Sequence, residues 1–210
     1  MNILAIDTSS EVLSLALLIQ GKKIVETRSS GFTRHSEALA PAVEKFLKKQ
    51  KIKLENIDGF AVGLGPGSFT GLRVGVSFIK TLAFALNKKA VGISSLEAIA
   101  GGVIRGDETV AVVLDAKKEK FYAAVYGQAQ GLPLRNIHKP FIGTMPEIIK
   151  KAGEGARVVG HGEHFPSAAY IASRANELFQ QGKFTDLLKL DPDYLHPRDC
   201  NATRPAKIKI

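Results

Sequence analysis

The sequence has no tryptophan, a single cysteine and only two methionines among 210 residues. One thiol, Cys200, makes no internal disulfide, and no Cys/His set has the spacing of a zinc site. Cys200 lies in a Pro/Arg-rich tail with no evident base, which argues against a nucleophile. A reducing, cytoplasmic setting is the expectation. Long hydrophobic runs are missing too. The most apolar stretch near the start, 12–19, is interrupted by Ser14 and followed by Gln20, well short of the roughly 20 residues a spanning helix needs. No basic n-region precedes Asp7, so neither a signal peptide nor a membrane partner is expected. Aromatics are 7% of the chain, with no aromatic-rich motif for RNA, which argues against a stand-alone RNA-binding module. Acidic residues are in deficit, 20 against 29 basic, for a net charge of +9. The lysines are scattered over 48–53, 117–120 and 207–209. That spread suits a solvated surface better than one polyanion-binding face.

What is present is ordinary for a folded chain: 45% hydrophobic and 23% charged, enough to bury one large core or two small ones. Residues 2–6, 12–19 and 22–30 read as three strands, joined by the polar turn Asp7-Thr8-Ser9-Ser10 and the tight turn Gly21-Lys22. From Thr33 to Lys49 the period changes: Leu39, Val43, Phe46 and Leu47 fall at helical spacing, with Thr33 or Ser36 as cap. A buried strand over 57–64, a second helix over 72–86, a short strand over 91–93 and a helix from Leu96 follow. Gly101 to Asp107 turns to Gly, Arg and Asp, which sets the boundary between units 1–103 and 104–210. The second half then opens like the first. An apolar run over 110–114 ends in Asp115, a polar turn follows, and a strand returns over 121–126. Two meander-plus-helix halves point to a duplicated α/β fold with a ligand crevice beyond the strand ends. Further on, 157–159 reads as a strand, 166–182 as a helix, and 192–210 as an extended tail folded back on the body.

The strongest local signal is Gly65-Pro66-Gly67-Ser68-Phe69-Thr70-Gly71-Leu72-Arg73-Val74-Gly75. Its glycines and proline dictate an unusual backbone path. Ser68 and Thr70 suit a helix cap, and exposed N–H groups there attract anions. The stretch is neither a Walker motif nor a dinucleotide fingerprint, and a structural strand-to-helix turn is the other reading. Asp7 and Asp115 each end a strand before a polar turn. With Thr8, Ser9 and Ser68 they are candidate nucleotide or phosphate ligands, an acid in that place being able to hold hydrated Mg²⁺. The alternative is that each bonds its own turn. His35 has no second histidine one turn on, position 39 being Leu39, so no metal site is expected there. His161 and His164 lack a companion at ligand spacing. The helix behind the glycine loop carries Arg73 and Lys80 and almost no other charge. A helix apolar on nearly all sides is covered on all sides, here by its own domain and, over one stripe, by another chain.

With Ile6-Asp7-Thr8-Ser9, Arg34-His35-Ser36, Gly92-Ile93-Ser94-Ser95-Leu96, Leu114-Asp115-Ala116 and Pro192-Asp193-Tyr194-Leu195, that loop gives nearly the whole chain a resemblance to the TsaB (YeaZ) family. The resemblance implies two duplicated actin-like subdomains of the ASKHA, ribonuclease H-like class. It implies a non-catalytic scaffold and activator in the formation of N6-threonylcarbamoyladenosine in tRNA beside the anticodon. The partners it implies are the catalytic paralogue TsaD, the ATPase TsaE, tRNA through the complex, and a second copy of the chain when it is alone. The paired metal-binding histidines of TsaD are not matched, since only His35 is present. No cofactor of its own is expected, ATP and Mg²⁺ belonging to the complex. The implied partner face lies on the two helices 33–49 and 72–86. Its candidate residues are His35, Leu39, Val43, Leu72, Gly75, Val76, Phe78, Ile79 and Leu82. A charge at Val76 or Phe78 is then expected to break the complex while the chain stays folded. The alternative function is a small ATP/Mg-dependent phosphotransferase of the sugar-kinase type built on Asp7 and Asp115.

Overall fold

The computed structural model describes residues 1–30, 35–129, 133–160 and 162–195, the side chain of His35 excepted. Thr33, Arg34, His161, Cys200 and the tail beyond Leu195 lie outside the described residues. The chain runs β1 (Ile3–Asp7), β2 (Leu13–Ile19), β3 (Lys23–Ser29), α1 (His35–Lys49), β4 (Gly59–Gly63), α2 (Phe69–Ala85), β5 (Lys89–Ile93) and α3 (Ser95–Val103). It continues β6 (Glu108–Asp115), β7 (Phe121–Gln128), β8 (Arg135–Gly143), α4 (Met145–Ala152), β9 (Arg157–Gly160) and α5 (Ala168–Gln180). Among the described residues no helix is long and apolar enough to cross a membrane.

Two sheets form. The first has five strands in the order β3-β2-β1-β4-β5 and the second four in the order β8-β7-β6-β9. In each, the opening strand pairs antiparallel with the next and parallel with the strand after the crossover helix: β1 with β2 and β4, β6 with β7 and β9. The second sheet therefore repeats the first without its last strand, and the fold is a duplicated, mixed α/β one of the actin-like kind.

Both faces of the first sheet are covered, which is why β1 reads as an unbroken apolar run. Leu4 and Ile6 join α1 and α2 through Leu39, Val43, Phe46, Leu47, Val76 and Ile79. Ile3 and Ala5 face the other way, toward Ile171, Ala172, Ala175 and Phe179 of α5. A buried side chain of this size contributes about 1.5–3 kcal/mol, so packing and not propensity holds α1. The boundary expected at residue 103 falls at the end of α3, and packing crosses it in both directions. Helix α5 returns to the first sheet. In exchange, α3 lends Leu96, Ile99 and Ala100 to the core of the second sheet, with Val110, Val112, Ala124 and Val159.

The seam between β3 and α5 is polar. Glu26 of β3 accepts hydrogen bonds from the Ser14 hydroxyl (3.1 Å), the Ser167 hydroxyl (3.0 Å) and the Ala169 N–H (3.0 Å). A carboxylate thus sits at the start of α5, where free N–H groups favour negative charge. Two elements, β8 and α4, escaped the sequence reading. Strand β8 is mostly outward-facing and contains Pro140, as an edge strand tolerates. Helix α4 is short, but its Thr144–Glu147 capping box with Pro146 in the first turn is a legible start signal.

Glu26→Ala removes these three bonds and the Arg28 ion pair (3.3 Å) at once. We expect a loss of about 2–3 kcal/mol in urea unfolding, with Glu26→Gln losing less than half of that.

Candidate functional site

Strand β1 ends in Asp7, whose side chain is fully buried. Its Oδ1 accepts from the Ser9 N–H (2.8 Å) and the Ser9 hydroxyl (2.6 Å), and its Oδ2 from the Ser95 hydroxyl (2.7 Å). Ser95 Oγ in turn accepts from the Gly65 N–H (3.0 Å), and the Ser95 N–H donates to the Gly65 carbonyl (2.8 Å). One carboxylate so ties the end of β1, the glycine loop and the start of α3. The glycines at 63, 67, 71 and 75, four residues apart, all face this turn. A Cβ on Gly63 would overlap the Asp7 carboxylate, on Gly67 the Ser9 carbonyl, on Gly71 the Thr8 carbonyl, and on Gly75 the Thr8 hydroxyl. The loop lies flush on the turn. The Thr8 hydroxyl donates to the Gly71 carbonyl (2.7 Å), and the Ser68 N–H donates to the Ser9 carbonyl (2.7 Å). Ser68 Oγ accepts from the Gly71 N–H at 3.2 Å and caps α2.

The structure thus brings Asp7, Thr8, Ser9 and Ser68 together, with the Asp7 carboxyl and the Thr8 and Ser9 hydroxyls hydrogen-bonded within the turn, to Ser95 and to the glycine loop. Asp115, at the exposed end of β6, accepts from the Lys117 N–H (2.8 Å) and Nζ (3.0 Å). That is the role of an acid bonding its own turn. Ser95 and Gly63 also belong to the site, although no role is expected of them from the sequence beyond their place in the family resemblance. The Ser95 hydroxyl serves the carboxylate, and the helix-capping position falls to Ser94, which makes no side-chain cap bond.

Most of the expected partner residues point into the chain's own core. Leu39, Val43, Leu72, Gly75, Val76 and Ile79 are buried within the chain itself. Only Phe78 and Leu82 are half-exposed, lining an open groove against Ala40, Glu44 and Lys48 of α1. His35 opens α1, and its side chain lies outside the described residues. The physical reason is general: helical apolar spacing marks a face that is covered, and the nearest cover is the chain's own sheet. A charge at Val76, 2% exposed, is therefore expected to unfold the chain. The outward ridge of α2 is a different set. Thr70, Arg73, Ser77, Thr81 and Ala85 are exposed at three- and four-residue steps, flanked by Phe84, which is 82% exposed. The helix contains no Asp or Glu.

Burial raises the Tyr126 hydroxyl far above its ordinary range, with Ser94 beside it pulling the other way. Tyr126 is thus a neutral core residue under α3. The consequence of the Asp7 knot is measurable. Ser95→Ala leaves a buried carboxylate oxygen and the Gly65 N–H without their shared partner, and should cost about 2–3 kcal/mol in chemical unfolding. Gly71→Ala, which collides with backbone, should cost about 3 kcal/mol, and Gly106→Ala, which meets no atom but sits at φ +70°, should cost only the left-handed backbone strain of about 1–2 kcal/mol.

Comparison with known proteins agrees with this geometry. The family model described as TsaD, tRNA N6-adenosine threonylcarbamoyltransferase, matches residues 28–132. The tRNA threonylcarbamoyladenosine biosynthesis protein TsaB of Bacillus subtilis is 30% identical over 96% of this chain and 97% of its own. The TsaB protein of Escherichia coli is 30% identical over 93% and 94%. The solved structure of YeaZ from Pseudomonas aeruginosa superposes with a TM-score of 0.80 at 26% identity, covering 92% of this chain and 99% of that one. Near full-length likeness at this level leaves one conclusion: the chain belongs to the TsaB (YeaZ) family.

Proposed function

We propose that the chain works in the formation of N6-threonylcarbamoyladenosine in tRNA as a non-catalytic scaffold. It docks the TsaD-type catalytic paralogue on the outward ridge of α2 and the neighbouring face of α1. TsaD transfers the threonylcarbamoyl group to the adenosine, TsaE joins the cycle, and tRNA is met through the complex. In the absence of TsaD the same ridge pairs two copies of the chain.

The observation that carries this reading is the ridge itself. Thr70, Ser77, Thr81 and Ala85 let a partner backbone approach closely, while Phe78, Leu82 and Phe84 supply apolar surface beside them. Such a mixture of small and aromatic residues with no carboxylate has the chemistry of an interface core. The match of the TsaD family model across α1 and α2 supports a paralogous pair, in which like elements pack on like. A scaffold role is supported by the turn at Asp7, whose carboxylate and neighbouring hydroxyls are committed to holding the glycine loop.

The test is co-purification with TsaD of the same organism. Thr81→Glu and Ser77→Glu alter exposed side chains, so the melting temperature should stay within about 2 °C. Each places an unpaired charge under the partner, which should weaken capture by about 30-fold or more. Wild-type capture by both variants would exclude the ridge.

A further inference from the structure

The short segment Asp191–Tyr194, which follows the fully buried Leu190, is laid along α2 on the side away from α1. Its backbone is pinned by the Asp193 N–H, which donates to the Leu64 carbonyl at 2.8 Å. Asp191 reaches Lys80 at 3.3 Å. Tyr194 stacks on Phe69, with ring centroids 5.3 Å apart, and its hydroxyl oxygen accepts from Arg73 Nε at 3.1 Å. The Arg73 guanidinium carbon lies 4.0 Å over the Phe69 ring. An exposed arginine is thereby held in one pose by two aromatic residues, one of them distant in sequence.

The pose is informative. Nε is taken by the Tyr194 hydroxyl, while Arg73 as a whole is exposed. Among the described residues no carboxylate forms an ion pair with it, whereas Lys80, two turns on, has Asp191. A planar fork fixed by stacking and by one hydrogen bond loses little freedom when its remaining N–H groups meet a carboxylate in parallel geometry. Arginine and tyrosine are also the residue types that anchor interfaces.

We propose that the segment Asp191–Tyr194 is part of the partner-binding surface: it presents the outer edge of the Arg73 guanidinium to a carboxylate on the subunit that docks on the α2 ridge. This rests on the docking reading above and adds a partner chemistry to it, an acidic side chain facing Arg73. Tyr194 acts as a positioning residue. The surface is composite, with α2 supplying the ridge and the C-terminal segment one wall.

The experiment is titration of the full chain against TsaD of the same organism, with melting temperatures in parallel. Tyr194→Phe keeps the ring and removes the hydroxyl; Arg73→Lys keeps the charge and removes the fork. Each is expected to weaken binding about tenfold with an unchanged melting temperature. The double variant should be little worse than either alone, because the two residues work as one unit. Alanine substitution of the partner's facing acid should lose its effect once Arg73 is replaced. Wild-type affinity in both single variants, with binding still abolished by Thr81→Glu, overturns the composite surface and leaves the ridge standing. Tighter binding by Tyr194→Ala shows that the segment masks the ridge and also overturns it. If the wild-type chain does not bind TsaD at all, both readings fall together.

Discussion

A buried carboxylate at the end of the first strand is the constraint on which the rest of the structure depends. Asp7 is removed from water, and a carboxyl so placed has to be hydrogen-bonded. Its donors include Ser9, in its own turn, and Ser95, nearly ninety residues later. Because the Ser95 hydroxyl is also the acceptor for Gly65, satisfying that carboxyl fixes where the glycine loop runs. The loop in turn fixes where α2 starts and which of its sides points outward. Glycines at every fourth residue from 63 to 75 are the steric counterpart of that hydrogen-bonded knot, since each leaves room for an atom of the Asp7–Ser9 turn.

The duplication has a related consequence. Each sheet needs helices on both faces, and neither half supplies enough from its own sequence. The halves exchange them: α3 completes the second core and α5 the first. With α1 and α2 on one side of the first sheet and α5 on the other, most of the apolar side of α2 is used inside the chain, Phe78 and Leu82 staying half-exposed. What remains outside is a ridge of small and polar residues with aromatic edges, the kind of surface that a second subunit of similar shape covers.

Much of the fold is legible in the sequence. The strands at the head, the Gly65–Gly75 turn, both N-terminal helices and the echo at Asp115 follow from period, turn chemistry and glycine. The candidate site is legible only in part. Leu39, Val43, Val76 and Ile79 carry the right spacing for a covered face, but spacing does not say which molecule does the covering. Exposed Ser77, Thr81 and Ala85 repeat every fourth residue, but small and polar side chains do not say whether water or a subunit lies over them. Ser95 carries no sign of its role because its link to Asp7 spans a distance that no local pattern encodes. The same holds for Tyr194 and Arg73, which only the returning C-terminal segment brings together. The return of α5 to the first sheet was hidden for the same reason, since Ala168, Ala172 and Ala175 advertise close packing but not the surface they pack on.

The central claim, that α2 turns its outer ridge toward a catalytic partner, is tested most directly by amide hydrogen exchange of the chain with and without TsaD. Slower exchange concentrated in residues 70–85, with the facing part of α1 and residues 191–194, is the expected result. Protection confined to the second sheet, or none anywhere in a chain that demonstrably binds, would contradict it.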